Sequence, residues 1–322
     1  MSNEFLYLRR QDVEDLLDLP SIIRTVEESY AAFARGESHV SAPRGITLRL
    51  PGKTLPFMLM KPGATRHVLG SRIIVYPPEA EKTGTRFIIL TDANSGHPLA
   101  LINEAPVFNL RVGAQVAVAV RYLANLPVQR VGIVGTGKIA EGVARALFSV
   151  FPLGAVCVTS RTLGSRRAFS EQFSGRLGLR VEPVDTVQEC CRRAEVVITA
   201  TNVNVPLIRP EDVRPGMLLM PIGAGQELSP EIILKADKVL VDDWDYCTSM
   251  GDLGPLVAEG RFGKDRLYGH IGELVIGLKK GRENPIETIV AIPQGLASAD
   301  IAVAEWLMKE ARLRRVGMTL PV

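Results

Sequence analysis

A glycine-containing segment, residues 131–147, has the residue types and spacing of a phosphate-binding turn. Gly135 and Gly137 follow the apolar run "RVGIV", and Ala140 comes three positions later, where a helical pattern begins. The first glycine allows a tight turn, and the second lets the backbone approach a pyrophosphate closely. The N–H groups at the start of the helix then face the anion. We therefore predict a dinucleotide site; the alternative is a glycine-rich turn in a sheet that binds nothing.

The strand after this helix ends in "SRT", residues 160–162. An NAD site usually has Asp or Glu there to bind the ribose 2′-hydroxyl. Hydroxyl and guanidinium donors suit a 2′-phosphate instead, so NADP(H) is favoured and NAD(H) is the alternative cofactor. A solvated arginine near the adenine is the other interpretation of Arg161. The residues expected to contact the cofactor are Gly135, Thr136, Gly137, Lys138, Ile139, Ser160, Arg161, Thr162, Arg166, Ala200, Thr201, Asn202, Ile222 and Gly223.

The elements around this loop indicate two domains. An amphipathic helix closed by Gly36 and a β-rich region from about 40 to 105 predict a mainly antiparallel sheet. A helix from Arg111 to about Leu123 leads into strands that alternate with helices, which is typical of a doubly wound parallel sheet. The predicted strands are 130–134, 155–159, 195–199, 217–221 and 238–242, and the predicted helices are 138–150 and 164–175.

The predicted fold class is therefore α/β, a Rossmann-type doubly wound parallel sheet plus an α+β substrate and dimerisation domain. We assign 113–296 to the Rossmann domain and 1–112 to the other domain. The amphipathic helix near the C-terminus completes that first domain, as 297–322, because the nucleotide-binding sheet is already complete before it.

Composition excludes several classes of function. The 322 residues carry 38 basic and 35 acidic side chains, mixed along the chain, so a nucleic-acid surface is not expected. No apolar run approaches the roughly 20 residues that span a bilayer, and the first residues lack the features of a signal peptide. Neither the four histidines nor the cysteines at 157, 190, 191 and 247 have metal-ligand spacing. We expect a reduced cytoplasmic protein without a metal site.

Several segments, in their order and spacing, resemble the ornithine cyclodeaminase/mu-crystallin family. They are "ILTDANSGHPLALI", "NLRVGAQVAVAVRYLA", "ATNVNVPLI", "KADKVLVDDW", "HIGELVIGLKKGRE" and "GLASADIAVA", and with the early helix and the nucleotide loop they extend over nearly the whole chain. The resemblance implies a two-domain homodimer that passes hydride between a nicotinamide and the α-carbon of an amino or imino acid. Activities in the family include cyclising deamination, alanine dehydrogenation, imine reduction and opine-type cleavage.

The resemblance also implies roles for individual residues. Arg44 and Arg111 match the arginines that hold the substrate carboxylate, and a guanidinium pair can bind a carboxylate through paired hydrogen bonds. Either arginine could instead form a structural ion pair. Asp300 matches a position near the nicotinamide, although it also fits an ordinary acid at a helix N-terminus.

This sequence departs from the family at three places that bear on the chemistry, one of them Val112, which follows Arg111 where the family has threonine. Arg72 stands where most members have lysine, and a guanidinium is a poor proton donor because its pKa exceeds about 12. Lys61 could supply the titratable ammonium or be a solvated strand end. The loop after "LLMPIGA" is short and continues directly into Gln226 and Glu227, whereas cyclodeaminases carry an aspartate there. The expected catalytic residues are thus Arg72, Lys61 and Asp300, with Arg44, Arg72 and Arg111 binding the substrate.

The favoured function is an NAD(P)-dependent oxidoreductase acting on the C–N bond of an amino or imino acid. It would be an imine or ketimine reductase, or an amino-acid or opine-type dehydrogenase, with a small-molecule substrate and a homodimeric assembly. One alternative is an ornithine cyclodeaminase-like lyase. Another is a dehydrogenase that forms 2,3-diaminopropionate, a branch that has a similar short loop but keeps the lysine. A mu-crystallin-like protein that holds NADPH and a small ligand is the third.

Overall fold

The chain divides into two compact units. The computed structural model describes residues 4–52, 57–77, 84–177 and 180–322. The first unit is Met1–Arg111 together with Leu296–Val322, and the second is Val112–Gly295. The sequence analysis places both boundaries one residue later. In the described ranges, no helix combines the length and the apolar character needed to cross a membrane.

The first unit consists mainly of strands in its N-terminal segment. Its early helix begins with Asp18, whose side chain accepts a hydrogen bond from the backbone N–H of Ser21 at 3.0 Å, and it ends before Gly36, which has a positive φ of 73°. Along the chain the elements are β1 (Glu4–Leu8), α1 (Arg10–Leu16), α2 (Leu19–Ala34), β2 (His39–Val40), β3 (Ile46–Arg49), β4 (Phe57–Ala64), β5 (Val68–Tyr76), β6 (Thr85–Asp92) and β7 (Pro98–Asn103). Helix α3 (Phe108–Leu123) begins in this unit and continues into the second.

The second unit is built on a parallel sheet. Its elements are β8 (Arg130–Val134), α4 (Lys138–Val150), β9 (Ala155–Thr159), α5 (Leu163–Leu177), β10 (Val181–Pro183), α6 (Val187–Arg193), β11 (Val196–Thr199), β12 (Leu218–Pro221), α7 (Pro230–Lys235), β13 (Lys238–Val241), α8 (Trp244–Cys247), α9 (Leu253–Ala258), β14 (Gly269–His270), α10 (Ile271–Val275) and β15 (Ile289–Ile292). The strand order is β10-β9-β8-β11-β12-β15-β13-β14, and every neighbouring pair is parallel. The doubly wound parallel sheet is thereby confirmed. Strands β10, β14 and β15 and helix α6 were not predicted.

The C-terminal segment completes the first unit with α11 (Ala297–Arg314) and β16 (Met318–Pro321). The first sheet runs β16-β1-β7-β6-β5-β4-β2, with β3 paired to β4. All its neighbouring pairs are antiparallel except β1 with β7. Helix α11 packs against α2 and against β4, β5 and β6, so it belongs to the first unit, where the sequence analysis places it.

Candidate active site

The glycine loop joins β8 to α4 in the second unit. Gly135 has a φ of +115°, and a Cβ atom there would lie 2.4 Å from the carbonyl oxygen of Ala200. Only glycine fits this position. Gly137 precedes the first turn of α4, and a Cβ atom there would meet open space. The loop therefore leaves room for a ligand at the helix N-terminus.

This loop lies at the point where the strand order reverses, because β9 and β10 lie on one side of β8 and β11 and β12 lie on the other. In open α/β sheets, ligands bind outside the carboxyl ends of strands at such a point. Thr136, Lys138 and Ile139 are partly or fully exposed at the start of α4. The arrangement fits the pyrophosphate of a dinucleotide.

The two predicted cofactor segments after β11 and β12 are joined by one carboxylate. Glu227 is fully buried and accepts hydrogen bonds from Thr199 Oγ1 at 2.8 Å, from the Thr201 backbone N–H at 2.8 Å and from Thr201 Oγ1 at 2.6 Å. It accepts a fourth from the Gly223 backbone N–H at 2.8 Å. Burial raises the pKa of Glu227, although these four donors oppose that shift. Glu227 is thus a positioning residue for the loops.

The close approach of these loops explains the glycine at position 223. A Cβ atom there would lie 2.5 Å from Glu227 Oε2 and 2.7 Å from the carbonyl oxygen of Thr201. Ile222 is buried and donates its N–H to the carbonyl of Thr199 at 3.0 Å, whereas Asn202 is exposed. The sequence analysis names Glu227 as part of the short loop after "LLMPIGA" but assigns it no role.

A second buried carboxylate supports Glu227 through the main chain. Asp252 Oδ1 accepts the backbone N–H groups of Glu227 at 2.8 Å and Leu228 at 2.7 Å. Among the described residues, its other oxygen has no hydrogen-bond partner. Burial raises the pKa of Asp252 to about 7, with the charge of Glu227 adding to the effect.

The end of β9 presents the residues expected to read the ribose. Ser160 Oγ and Thr162 Oγ1 lie 2.8 and 2.7 Å from the hydroxyl of Ser165, so they form one hydroxyl cluster. Arg166 is buried and donates to the carbonyl oxygens of Ser160 and Asp185 and to Asp185 Oδ1. Arg166 therefore braces the turn, and Arg161 is the exposed guanidinium beside it.

In the first unit, four predicted or newly found charged residues form two buried ion pairs. Arg72 Nε lies 2.5 Å from Glu104 Oε1, and Arg111 Nε lies 2.6 Å from Asp300 Oδ1. The Cζ atoms of Arg72 and Arg111 lie 4.3 and 5.7 Å from the ring centroid of Phe108. Burial raises the pKa of Glu104, which Arg72 opposes. We refer to these five residues as the arginine cluster.

Lys61 is a direct neighbour of the arginine cluster. It pairs with Arg72 in the register of β4 and β5, so both side chains lie on one face of the sheet, and Lys61 is only 3% exposed. Arg44 is partly exposed and donates to the carbonyl of Ser41 at 2.8 Å. Its neighbour Gly45 packs near the Lys61 side chain, since a Cβ there would lie 3.6 Å from Lys61 Cγ.

The sequence reasoning missed Glu104 and Phe108. Glu104 directly follows the apolar strand β7, and an acid at that place could have suggested a partner for one of the predicted arginines. Asp300 lies in the first turn of α11 but is buried, and its ion pair with Arg111 is stronger evidence of a role than its position at a helix start.

Comparison with known proteins links this geometry to a family. The model of the ornithine cyclodeaminase/mu-crystallin family matches residues 3–314. A Δ1-pyrroline-2-carboxylate reductase of Bacillus cereus is 30% identical, and the alignment covers 97% of this chain and 98% of that protein.

Two solved structures have the same architecture. The Δ1-pyrroline-2-carboxylate reductase of Thermococcus litoralis, in complex with NADH and L-proline, superposes with a TM-score of 0.90 at 26% identity, covering 98% of this chain and 99% of that chain. An archaeal alanine dehydrogenase dimer with bound NAD gives the same TM-score, identity and coverage.

The buried carboxyl of Asp252 makes stability depend on pH. An unfolded aspartate titrates near pH 3.9, so between about pH 4 and 7 the folded chain keeps a proton that the unfolded chain has lost. Asp252 therefore reduces stability progressively as the pH rises through that window. Asp252→Asn keeps the Oδ1 acceptor and removes the charge, so its melting temperature should rise relative to wild type from pH 4 to 7 and then level off.

Thermal unfolding at several pH values measures this difference. The control is Asp252→Ala, which also loses the acceptor for the Glu227 and Leu228 N–H groups and should be destabilised across the whole range. A difference between Asp252→Asn and wild type that does not change with pH would refute the assignment.

Proposed function

The chain belongs to the ornithine cyclodeaminase/mu-crystallin family, and on that premise we propose that it is an NAD(P)-dependent oxidoreductase acting on the C–N bond of an amino or imino acid. The favoured reaction is reduction of an imine that carries a carboxylate. Its support from relatives is the similarity along almost the whole chain to a Δ1-pyrroline-2-carboxylate reductase.

The observation that carries the proposal is the arginine cluster. A guanidinium has five N–H donors, so Arg72 and Arg111 can keep Glu104 and Asp300 as partners and also bind a substrate carboxylate. Glu104 and Asp300 hold the two arginines in place, and both guanidinium groups also contact the ring of Phe108. Arg44 adds a further cation on the loop before β3. A carboxylate bound here has its α-carbon held in one position.

Reduction of an imine also needs a proton. Arg72 does not supply it near neutral pH, because a guanidinium stays protonated. Lys61, buried directly opposite Arg72, has a titratable ammonium and is the donor that we assign. When bound along the Gly135–Gly137 loop, the nicotinamide cofactor supplies the hydride.

The short loop after β12 favours an oxidoreductase over a cyclodeaminase. The lyase of this family uses an acid from that loop on the substrate amino group. Here Glu227 is buried and committed to four hydrogen bonds with the cofactor loops. A mu-crystallin-like binding protein would differ from both enzymes because it binds the cofactor and a small ligand but turns over little substrate.

For the cofactor, we propose NADP(H) over NAD(H). The support is the exposed Arg161 beside the Ser160 and Thr162 hydroxyls, where a carboxylate would repel a 2′-phosphate. We also propose a cytoplasmic location, which the four free, buried cysteines suit.

We propose that two copies of the chain associate through the outer face of the first sheet. Alternation along β3 to β6 puts large apolar side chains on the face opposite the arginine cluster, and several are well exposed. These exposed residues are Ile46, Leu48, Leu69 and Ile89. The dimer of the archaeal alanine dehydrogenase adds support. Such a continuous apolar face needs a cover of matching chemistry, and a second copy supplies one.

The proposed reaction can be tested with a panel of substrates. Cyclic imines such as Δ1-pyrroline-2-carboxylate, and 2-oxo acids with ammonia or amines, should cause loss of reduced-nicotinamide absorbance. Release of ammonia from ornithine without net cofactor turnover would indicate the lyase instead. Tight binding of NADPH with no turnover on the whole panel would indicate a binding protein.

Arg72→Lys tests the division of roles within the site. Because Lys61 donates the proton and Arg72 binds the carboxylate, the variant should raise KM about tenfold and leave kcat and its pH profile nearly unchanged. Arg24→Lys, at an exposed position of α2, is the control. A higher kcat with a shifted pH profile would assign proton transfer to position 72, and no effect would remove Arg72 from the site.

Cofactor preference depends on Arg161. Arg161→Ala should weaken NADPH binding at least tenfold and change NADH binding less than twofold, because only NADPH has the 2′-phosphate. Fluorescence titration of both cofactors measures this, with the equally exposed Arg167→Ala as control. Equal affinity of the wild type for both cofactors would refute the preference.

Association should fail when a charge enters the apolar sheet face. Leu48→Glu is expected to give the mass of one chain in gel filtration with light scattering, where the wild type gives two. Leu278→Glu changes an equally exposed leucine in the second unit and should leave the dimer intact. A monomeric wild type, or a dimeric Leu48→Glu variant, would contradict this interface.

A further inference from the structure

A third arginine lies against the arginine cluster and has no role in the reaction described so far. Arg86 is on β6, where it pairs with Ile74 of β5, and the neighbouring position Ile88 pairs with Arg72. Alternation therefore puts Arg86 on the same face of the sheet as Arg72. Its Cζ atom lies 4.5 Å from the ring centroid of Phe108. The Cζ atoms of Arg72 and Arg86 are consequently no more than about 9 Å apart.

The three arginines near the Phe108 ring differ in whether a carboxylate partner neutralises them. Arg72 is paired with Glu104, and Arg111 is paired with Asp300. Arg86 is only partly exposed, yet no described residue forms a salt bridge or a side-chain hydrogen bond with it. Burial lowers the pKa of Arg86, and the charge of Arg72 lowers it further, while Glu104 opposes both. Among the described residues, Arg86 is thus a half-buried cation without a carboxylate partner.

Partial burial of an unpaired guanidinium costs free energy, and a bound anion would offset that cost. Contact with Phe108 stabilises the guanidinium face but does not satisfy its N–H donors. Arg72 and Arg111 already account for one substrate carboxylate in the proposed function. An anion that pairs with Arg86 in addition is then a second group, and the two guanidinium carbons lie at most about 9 Å apart.

We propose that Arg86 binds a second carboxylate, so that the substrate is an imino or amino acid bearing a side-chain carboxylate. A substrate with two or three carbons between its carboxylates can reach both guanidinium groups across a gap of at most about 9 Å. The inference rests on the proposed oxidoreductase function, whose α-carboxylate site it extends. It assigns Arg86 as a specificity residue that touches the substrate away from the reacting C–N bond.

The test compares substrates of equal length that differ by one carboxylate. With ammonia and reduced cofactor, 2-oxoglutarate is compared with 2-oxopentanoate, and oxaloacetate with 2-oxobutanoate. The wild type should show at least a tenfold higher kcat/KM for each dicarboxylate. Arg86→Leu should lose that preference because its KM for the dicarboxylates rises by roughly tenfold to a hundredfold. Its kcat/KM for the monocarboxylates should stay within about twofold of the wild-type value.

Two further variants test whether the loss of preference comes from the missing charge at position 86. Arg86→Lys should recover part of the preference, because it restores the charge without the fork of N–H donors. Arg24→Leu, on exposed α2, should behave as wild type. Arg86→Leu removes a cation without a carboxylate partner, so its melting temperature should not fall below that of the wild type.

Binding gives an answer that does not need turnover. In the presence of oxidised cofactor, L-glutamate should raise the melting temperature of the wild type more than L-norvaline does, and Arg86→Leu should abolish that difference. Equal kcat/KM for both members of each pair, or an equal loss for both in Arg86→Leu, would overturn the role of Arg86 and leave the oxidoreductase intact. If no imine is reduced, the proposed function fails, and the melting experiment alone decides whether Arg86 binds a second carboxylate.

Discussion

The first unit buries two guanidinium groups, and its fold must supply a carboxylate partner for each of them. Arginine does not lose its charge inside a protein, so Arg72 and Arg111 each require a carboxylate of their own. Glu104 comes from the end of β7 and Asp300 from α11, and loss of either acid would leave an uncompensated charge worth about 3–5 kcal/mol. Sheet register and helix packing in the first unit therefore depend on each other through charge balance.

The second unit uses a single acid for a different purpose. Glu227 collects hydroxyl and backbone donors from the segments after β11 and β12, and Asp252 in turn accepts the backbone N–H of Glu227. The loops at the carboxyl ends of β11 and β12 are thus held by buried carboxylates.

Local patterns could be predicted from the sequence because they depend on neighbouring residues. The bounds of β8, α4 and β9 agree with the predicted ranges, and the glycine loop lies between β8 and α4 as expected. Strand β15 was missed because its place between β12 and β13 depends on residues far away in the chain.

The same reason explains why the partners of the site residues were not predicted. Arg166 has a suitable position in the sequence, but its guanidinium is bound by Asp185, which follows a strand that the sequence did not predict. Glu104 is 32 residues from Arg72, and only the register of β5, β6 and β7 brings the two together. The residue types were visible in the sequence, but their partners were not.

The discontinuity of the first unit has a consequence for the order in which a growing chain can fold. All strands of the second unit lie between Val112 and Gly295, so its sheet can close as soon as that stretch has left the ribosome. The first unit has to wait for α11, which covers β4, β5 and β6 and carries the counter-ion of Arg111. Until then a newly made Arg111 keeps its hydration, and the unit that carries the arginine cluster is completed last, after the unit that carries the glycine loop.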